Sequence, residues 1–157
     1  MKKTVIIAIV IVYLASIIAI NFFGMQVKNQ MTNVYVSALT VDGISLQRTE
    51  SLQINEFTEG ETQGFAFRFV KNKNSDNGKY EEGEKNPNVI TVNYTVGPEN
   101  ASNKKLRYEV GTNFAGKTVI DEENNTITFL ESCGGKITLR TTDGSQISVT
   151  IIVYAVA

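Results

Sequence analysis

The chain divides into two regions by the pattern of its hydrophobic positions. Residues 4–27 contain no charged side chain, and most of them are Ile, Val, Ala or Leu. Beyond residue 30 no helical period is visible, and apolar and polar residues alternate instead over short runs. The pattern therefore predicts one long apolar helix followed by a domain of β-strands.

The apolar run is long enough to cross a membrane. A helix of about 24 residues reaches roughly 36 Å, whereas the hydrocarbon core of a bilayer is about 30 Å thick. We assign residues 1–3 to a cytoplasmic stub, residues 4–25 to a transmembrane signal anchor and residues 26–33 to a tether. A cleaved secretory signal is the open alternative, although the apolar core is long and no small-x-small pair closes it.

The distribution of lysines predicts the orientation of this anchor. Lys2 and Lys3 precede the apolar run, and Lys28 alone lies close behind it. Positive charge is retained on the cytoplasmic side, so the N-terminus is expected inside the cell and the rest of the chain outside. The predicted location is a single-pass position in the cell membrane with an extracytoplasmic domain, and the lipid bilayer is the first expected partner.

Period-two alternation predicts about seven to nine short strands after the tether. Each such strand has one apolar face, which must be buried against another sheet, so residues 34–157 are predicted to form an antiparallel β-sandwich of the all-β class. The alternating runs lie at residues 34–39, 51–55, 65–70, 90–96, 106–110, 127–129, 137–139 and 147–153.

Turn residues separate these runs. Gly, Asn, Asp and Pro favour turns because they adopt or impose the backbone angles that turns need. Asp143-Gly144 is the strongest hairpin signal, since a tight turn between two alternating runs requires a positive φ. The predicted turns are Asp42-Gly43, Glu59-Gly60, Gly97-Pro98, Glu123-Asn124-Asn125, Gly134-Gly135 and Asp143-Gly144.

One polar stretch, residues 71–88, interrupts the regular spacing of strands. It contains a single aromatic residue and no aliphatic one, so we predict a long exposed loop inserted into the sandwich. Long polar loops often carry recognition, and tyrosine is common at contact surfaces. The predicted interaction loop comprises Lys71, Asn74, Asp76, Tyr80, Glu82 and Lys85. A tolerated insertion without any partner is the alternative interpretation.

Composition narrows the range of expected partners and cellular settings. The formal net charge is −1 and no long basic block occurs, so nucleic acid is not an expected partner. The only cysteine is Cys133, which excludes a disulfide within the chain. Small exported eukaryotic domains usually carry cysteine pairs, so a bacterial surface is the expected setting.

Residues that would support catalysis or metal binding are scarce. The chain has no histidine, which removes the commonest base and metal ligand, and leaves Cys133 without a partner for nucleophilic catalysis. Asn72, Asn74 and Asp76 resemble a calcium loop, but the required glycine follows one residue late. The acidic and asparagine residues at 121–125 are interpreted as a solvated turn. We therefore expect no enzymatic activity, no cofactor and no metal.

Two stretches resemble bacterial immunoglobulin-like domains of the group 2 type. Residues 96–110 follow that family's "V-x-P-x-N-A-T-N-K" pattern, and residues 119–153 follow its closing half, with a polar turn, a "G-x-a-T-I-T-v" strand and a final "D-G" hairpin. Tyr108 stands where the family usually has Trp, and the 71–88 insertion departs from the pattern. The resemblance implies an immunoglobulin-like antiparallel β-sandwich with an adhesive or spacer role and no catalytic residues.

The sequence therefore predicts a membrane-anchored, extracytoplasmic immunoglobulin-like interaction or scaffold module of the bacterial envelope. Envelope proteins or cell-wall polymers are the expected partners. The alternative is an accessory subunit of a membrane assembly, which contacts its partners through the transmembrane helix.

Overall fold

A computed structural model describes residues 11–18, 33–47 and 53–157 of the chain. It has two units, Met1–Asn33 and Val34–Ala157. In the first unit, residues 11–18 are helical, and the Ser16 hydroxyl donates a hydrogen bond to the carbonyl of Val12 at 2.8 Å.

No helix within the described residues is long and apolar enough to span a membrane. The predicted stub, most of the predicted anchor at 4–25 and nearly all of the tether at 26–33 lie outside the described residues. These assignments stay predictions.

The second unit consists of two β-sheets. The four-stranded sheet has the order β1-β4-β7-β6 and the five-stranded sheet the order β2-β3-β9-β8-β5. All pairings in the described strands are antiparallel except that of β3 with β9, which is parallel. The predicted all-β class is confirmed, and its purely antiparallel form is wrong at this one pair. The strands are β1 (Ala38–Leu46), β2 (Asn55–Glu59), β3 (Thr62–Arg68), β4 (Val89–Gly97), β5 (Leu106–Val110), β6 (Thr118–Asp121), β7 (Thr126–Phe129), β8 (Cys133–Thr141) and β9 (Ser148–Val156).

Alternate side chains of both sheets form one hydrophobic core. Phe67 from β3 meets Phe129 from β7 edge to face, with ring centroids 5.2 Å apart, so the sheets pack face to face in a sandwich-like arrangement. Burying one apolar face of each sheet in this way is the main source of stability. The largest fully buried side chains are Phe65, Phe67, Phe114, Phe129, Ile90, Ile127, Ile137, Leu139, Ile151 and Ile152.

Two of the predicted glycine turns lie inside strands. Asp42-Gly43 lies within β1, where the register shifts between Val41 and Gly43, so the extra residue forms a β-bulge rather than a turn. Gly134-Gly135 lies within β8, where aromatic rings cover both glycines. A Cβ on Gly134 would overlap the ring of Tyr154. Glycine here provides room for a neighbouring ring.

Other boundaries differ by smaller amounts. The predicted run at 34–39 becomes a strand only from Ala38, and the run at 51–55 corresponds to β2, with 48–52 outside the described residues. Glu59-Gly60 joins β2 to β3 as predicted. Asp143-Gly144 lies between β8 and β9, which form the predicted antiparallel hairpin, and Gly144 has the predicted positive φ of 94°. The connection spans residues 142–147, so it is longer than the tight turn predicted.

Candidate functional site

The predicted interaction loop, residues 71–88, connects β3 to β4 and contains no strand. Its polar side chains bond largely to one another. The Asn72 amide donates to Glu84 at 3.1 Å, and its oxygen accepts from the backbone N–H of Asn74 at 3.0 Å. These short-range bonds are typical of Asx turns, so the loop is folded by its own asparagines.

The C-terminal end of this loop is fastened to the core. Asn88 is fully buried; its amide donates to the carbonyl of Val70 at 2.9 Å, and its oxygen accepts from the Val70 N–H at 2.8 Å. The Asn86 amide donates to the carbonyl of Phe129 at 2.7 Å. Both asparagines supply partners to backbone groups that β-pairing leaves open.

The middle of the loop is also tied down. Tyr80 is half-buried against the core, with its ring 6.2 Å from that of Phe69, and its N–H donates to Leu130. Beside it, Lys79 pairs with Glu131, which also pairs with Lys117 at 3.1 Å. The hydrogen bonds from these two lysines lower the pKa of the Glu131 carboxyl.

The interpretation of this loop as wholly exposed is therefore wrong at Tyr80 and Asn88, because both side chains close one end of the core. The other predicted interaction residues do lie in solvent. These exposed residues are Lys71, Asn74, Asp76, Glu82 and Lys85.

A second polar region was not identified from the sequence. It is a groove of about 570 Å³ that we call the loop groove. Its walls come from the end of β4, the β4–β5 connection, the β6–β7 turn and the β8–β9 loop. The lining residues are Tyr94, Lys104, Lys105, Leu106, Glu122, Glu123, Asn125 and Thr142.

Charges of opposite sign reach the loop groove from different sheets. Lys104 and Lys105 lead into β5 of the five-stranded sheet, whereas Glu122 and Glu123 belong to the turn between β6 and β7 of the four-stranded sheet. Within the described part of the chain, none of these four side chains forms an ion pair; the pairs present join other residues. The lysines and glutamates share a groove but remain unpaired.

Tyr108 lies next to this groove. Its side chain is only 7 % exposed, and its hydroxyl has no hydrogen-bond partner in the described residues. Burial raises the pKa of this hydroxyl, and the groove residues Tyr94 and Glu122 add to the effect. The hydroxyl therefore remains protonated and can donate a hydrogen bond. The Tyr94 hydroxyl donates a hydrogen bond to the side-chain oxygen of Asn125, with the two oxygens 3.1 Å apart.

The loops around the groove are held in place by side-chain bonds. Asp143 accepts from the Ser145 hydroxyl at 2.6 Å and from the N–H of Val36 at 2.5 Å. These bonds lower the pKa of Asp143 to about 2. Ser102 and Val34 exchange two further bonds, at 3.0 and 2.9 Å. The start of the domain is thus joined to two of the groove loops.

The residues that the sequence offers as candidates for metal binding or catalysis have structural roles instead. Asp121 accepts from the N–H groups of Glu123 and Asn124 and so closes the β6–β7 turn. The described residues contain no group of three acidic or thiol side chains arranged to hold a metal ion. Burial raises the pKa of the half-buried Cys133 thiol to about 11, which keeps it protonated and poorly nucleophilic.

Comparison with protein-family models and with curated proteins found no match for this chain. The resemblance to group 2 immunoglobulin-like domains therefore rests on residues 96–110 and 119–153.

Proposed function

We propose that this chain is a membrane-anchored, extracytoplasmic immunoglobulin-like interaction or scaffold module of the bacterial envelope, without enzymatic activity. Strand order carries the immunoglobulin-like part of this proposal. In the immunoglobulin fold, strands A, B, E and D form one sheet and C, F and G the other. If β1 is A and β4 to β9 are B to G, the sheets read A-B-E-D and G-F-C.

The remaining strands and one core residue fit the same scheme. The β2–β3 hairpin is then an insertion after strand A, and β3 adds to the sheet beside strand G. Tyr108 lies on β5, the equivalent of strand C, where immunoglobulin domains bury a Trp. This placement supports the resemblance of residues 96–110 to the group 2 family.

The position of the loop groove supports a binding role. Its walls are the connections that correspond to the B–C, D–E and F–G loops. Antibody variable domains use B–C and F–G loops at one end of the sandwich for recognition. The exposed residues of the 71–88 loop offer a second surface for envelope proteins or cell-wall polymers. The uncharged run at 4–27 supports the membrane anchor.

The alternative role is that of an accessory subunit of a membrane assembly. In the helix at 11–18, several large apolar side chains are more than half exposed within this chain and are available to lipid or to another helix. These are Ile11, Val12, Leu14 and Ile18.

A crosslinking pull-down from membranes separates the two roles. We would compare the tagged chain with a variant whose residues 4–25 are replaced by an unrelated Leu-rich span. The proposed function predicts that the same envelope proteins or wall polymers are recovered from both. Loss of all partners from the replaced span would instead identify the helix as the contact and contradict the proposal.

A further inference from the structure

We propose that the loop groove binds a zwitterionic ligand of dipeptide size, with its carboxylate toward Lys104 and Lys105 and its ammonium toward Glu122 and Glu123. This deepens the proposed function, since it rests on a binding role for this end of the domain. It names the chemistry of the ligand, which the resemblance does not supply.

The size and fixed walls of the groove suit a small ligand. Its volume of about 570 Å³ lies within the roughly 300–1,000 Å³ range of small-molecule sites. The Asp143 bonds to Val36 and Ser145 hold the β8–β9 loop, and the Ser102 bonds to Val34 hold the β4–β5 connection. Walls that are already ordered lose little conformational freedom when a ligand binds.

The charge arrangement selects the ligand class. Two lysines and two glutamates give the groove a formal charge of zero, but the signs come from different sheets and do not pair with each other. A simple anion would meet the glutamates and a simple cation the lysines. A neutral saccharide would leave both sets of charges without partners. A ligand with separated charges of both signs complements both walls.

Polar groups at the groove fit the linkage between the two charges. Glu122 is positioned by the N–H of Tyr108, which donates to its carboxylate at 3.0 Å. Asn125 also lines the groove; its side-chain oxygen accepts from the Tyr94 hydroxyl, and its NH₂ group provides donors. The carbonyl of a peptide unit can accept a hydrogen bond from such a donor.

The test is equilibrium dialysis of the full chain in detergent micelles against radiolabelled glycylglycine, which has both charges and no side chains. We expect saturable binding that weakens as salt is added. N-acetyl-glycylglycine amide, which carries no charge, should bind at least tenfold more weakly. Equal binding of the two probes would overturn the proposal, as would the absence of saturable glycylglycine binding.

Variants locate the binding. Replacing both groove lysines (K104A/K105A) should weaken glycylglycine binding about tenfold, because each exposed charge contributes modestly. The matched control, K71A/K85A, removes two exposed lysines of the 71–88 loop and should bind as the wild type does. An unchanged affinity for K104A/K105A would contradict the proposal.

A second variant tests the orientation of the ligand in the groove, and a saccharide probe tests the rival ligand. Glu123→Gln should weaken binding of glycylglycine but not of N-acetyl-glycine, which has no ammonium group. If N-acetylglucosamine binds and glycylglycine does not, the groove is a saccharide site and the zwitterion proposal is wrong. None of these measurements depends on membrane topology, so failure here is distinguishable from failure of the proposed function.

Discussion

The 71–88 loop and the loop groove are both polar, but side chains fasten part of the loop to the core, whereas the four charged groove side chains form no ion pair in the described part of the chain. In the 71–88 loop, Asn72 bonds to Glu84 within the loop, and Lys79 pairs with the Glu131 side chain outside it. Asn86 and Asn88 bond to backbone groups beside the core. In the groove, Lys104, Lys105 and Glu123 form no ion pair in the described part of the chain. The length and polarity of a segment do not reveal which of its side chains are available for binding; that depends on whether their bonding groups already have partners.

The largest difference between the two regions is expected from Asn88→Ala. The substitution leaves both backbone groups of Val70 without the partners that the Asn88 side chain provides, and unsatisfied buried groups cost about 1–3 kcal/mol each. We expect a loss of about 3 kcal/mol in urea titration of the Val34–Ala157 unit. Asn74→Ala, an exposed change in the same loop, should stay within about 0.5 kcal/mol. A loss below about 1 kcal/mol for Asn88→Ala would show that the two Asn88–Val70 hydrogen bonds do not stabilise the fold.

Tyr80→Ala should have the next largest effect. Its ring is half-buried against Phe69, so truncation should cost about 2 kcal/mol, less than the roughly 3–5 kcal/mol of a fully buried aromatic. Tyr35→Ala is the matched control at the groove end, since Tyr35 is 56 % exposed, and its effect should be below about 0.5 kcal/mol. Equal losses for the two variants would mean that Tyr80 is a surface residue, as the sequence suggested.

Tyr108→Phe should act in the opposite direction. The substitution removes a buried hydroxyl that lacks a partner in the described residues while keeping the ring in the core. Removal of this unsatisfied buried hydroxyl should raise the free energy of unfolding by about 1 kcal/mol. A clear loss of stability in urea titration would mean that this hydroxyl is hydrogen-bonded.

The smallest predicted effect is a pH dependence of the groove loops. Hydrogen bonds from Ser145 and Val36 lower the pKa of Asp143 to about 2, below its unfolded value of 3.8. The carboxylate thus stabilises the fold above about pH 4, and this contribution is lost as the pH falls toward 2. Asp143→Asn should be less stable than wild type at pH 6, with a gap that narrows between pH 4 and 2. A gap that stays constant between pH 6 and pH 2 would contradict this prediction.

The sequence predicted the strands better than it predicted which residues and strands lie beside them in the sheets. Alternation found the apolar faces at Phe65, Phe67, Ile90 and Ile137 because the period of two is a local property of a strand. Gly134 was assigned to a turn because its neighbour across the sheet, Tyr154, is 20 positions away along the chain. The parallel pairing of β3 with β9 was not predicted for the same reason.

The candidate sites were less predictable than the fold. Lys104 and Glu122 line one groove only because the two sheets bring the β4–β5 connection and the β6–β7 turn together. No spacing rule links these positions. The role of Asn88 was missed because a polar residue beside a polar stretch gives no sign of burial. The signal available was its place directly before an alternating strand, where backbone groups need partners.

We propose that Val34–Ala157 lies outside the cytoplasmic membrane on an uncleaved anchor with its N-terminus inside. Cysteine labelling tests this directly, since Cys133→Ser removes the only native thiol. Single cysteines would be placed at Lys85, which is exposed, and at Lys3 in the predicted stub. A membrane-impermeant maleimide applied to intact cells should label K85C at once and K3C only after permeabilisation. Protection of K85C in intact cells would contradict an extracytoplasmic position of the domain.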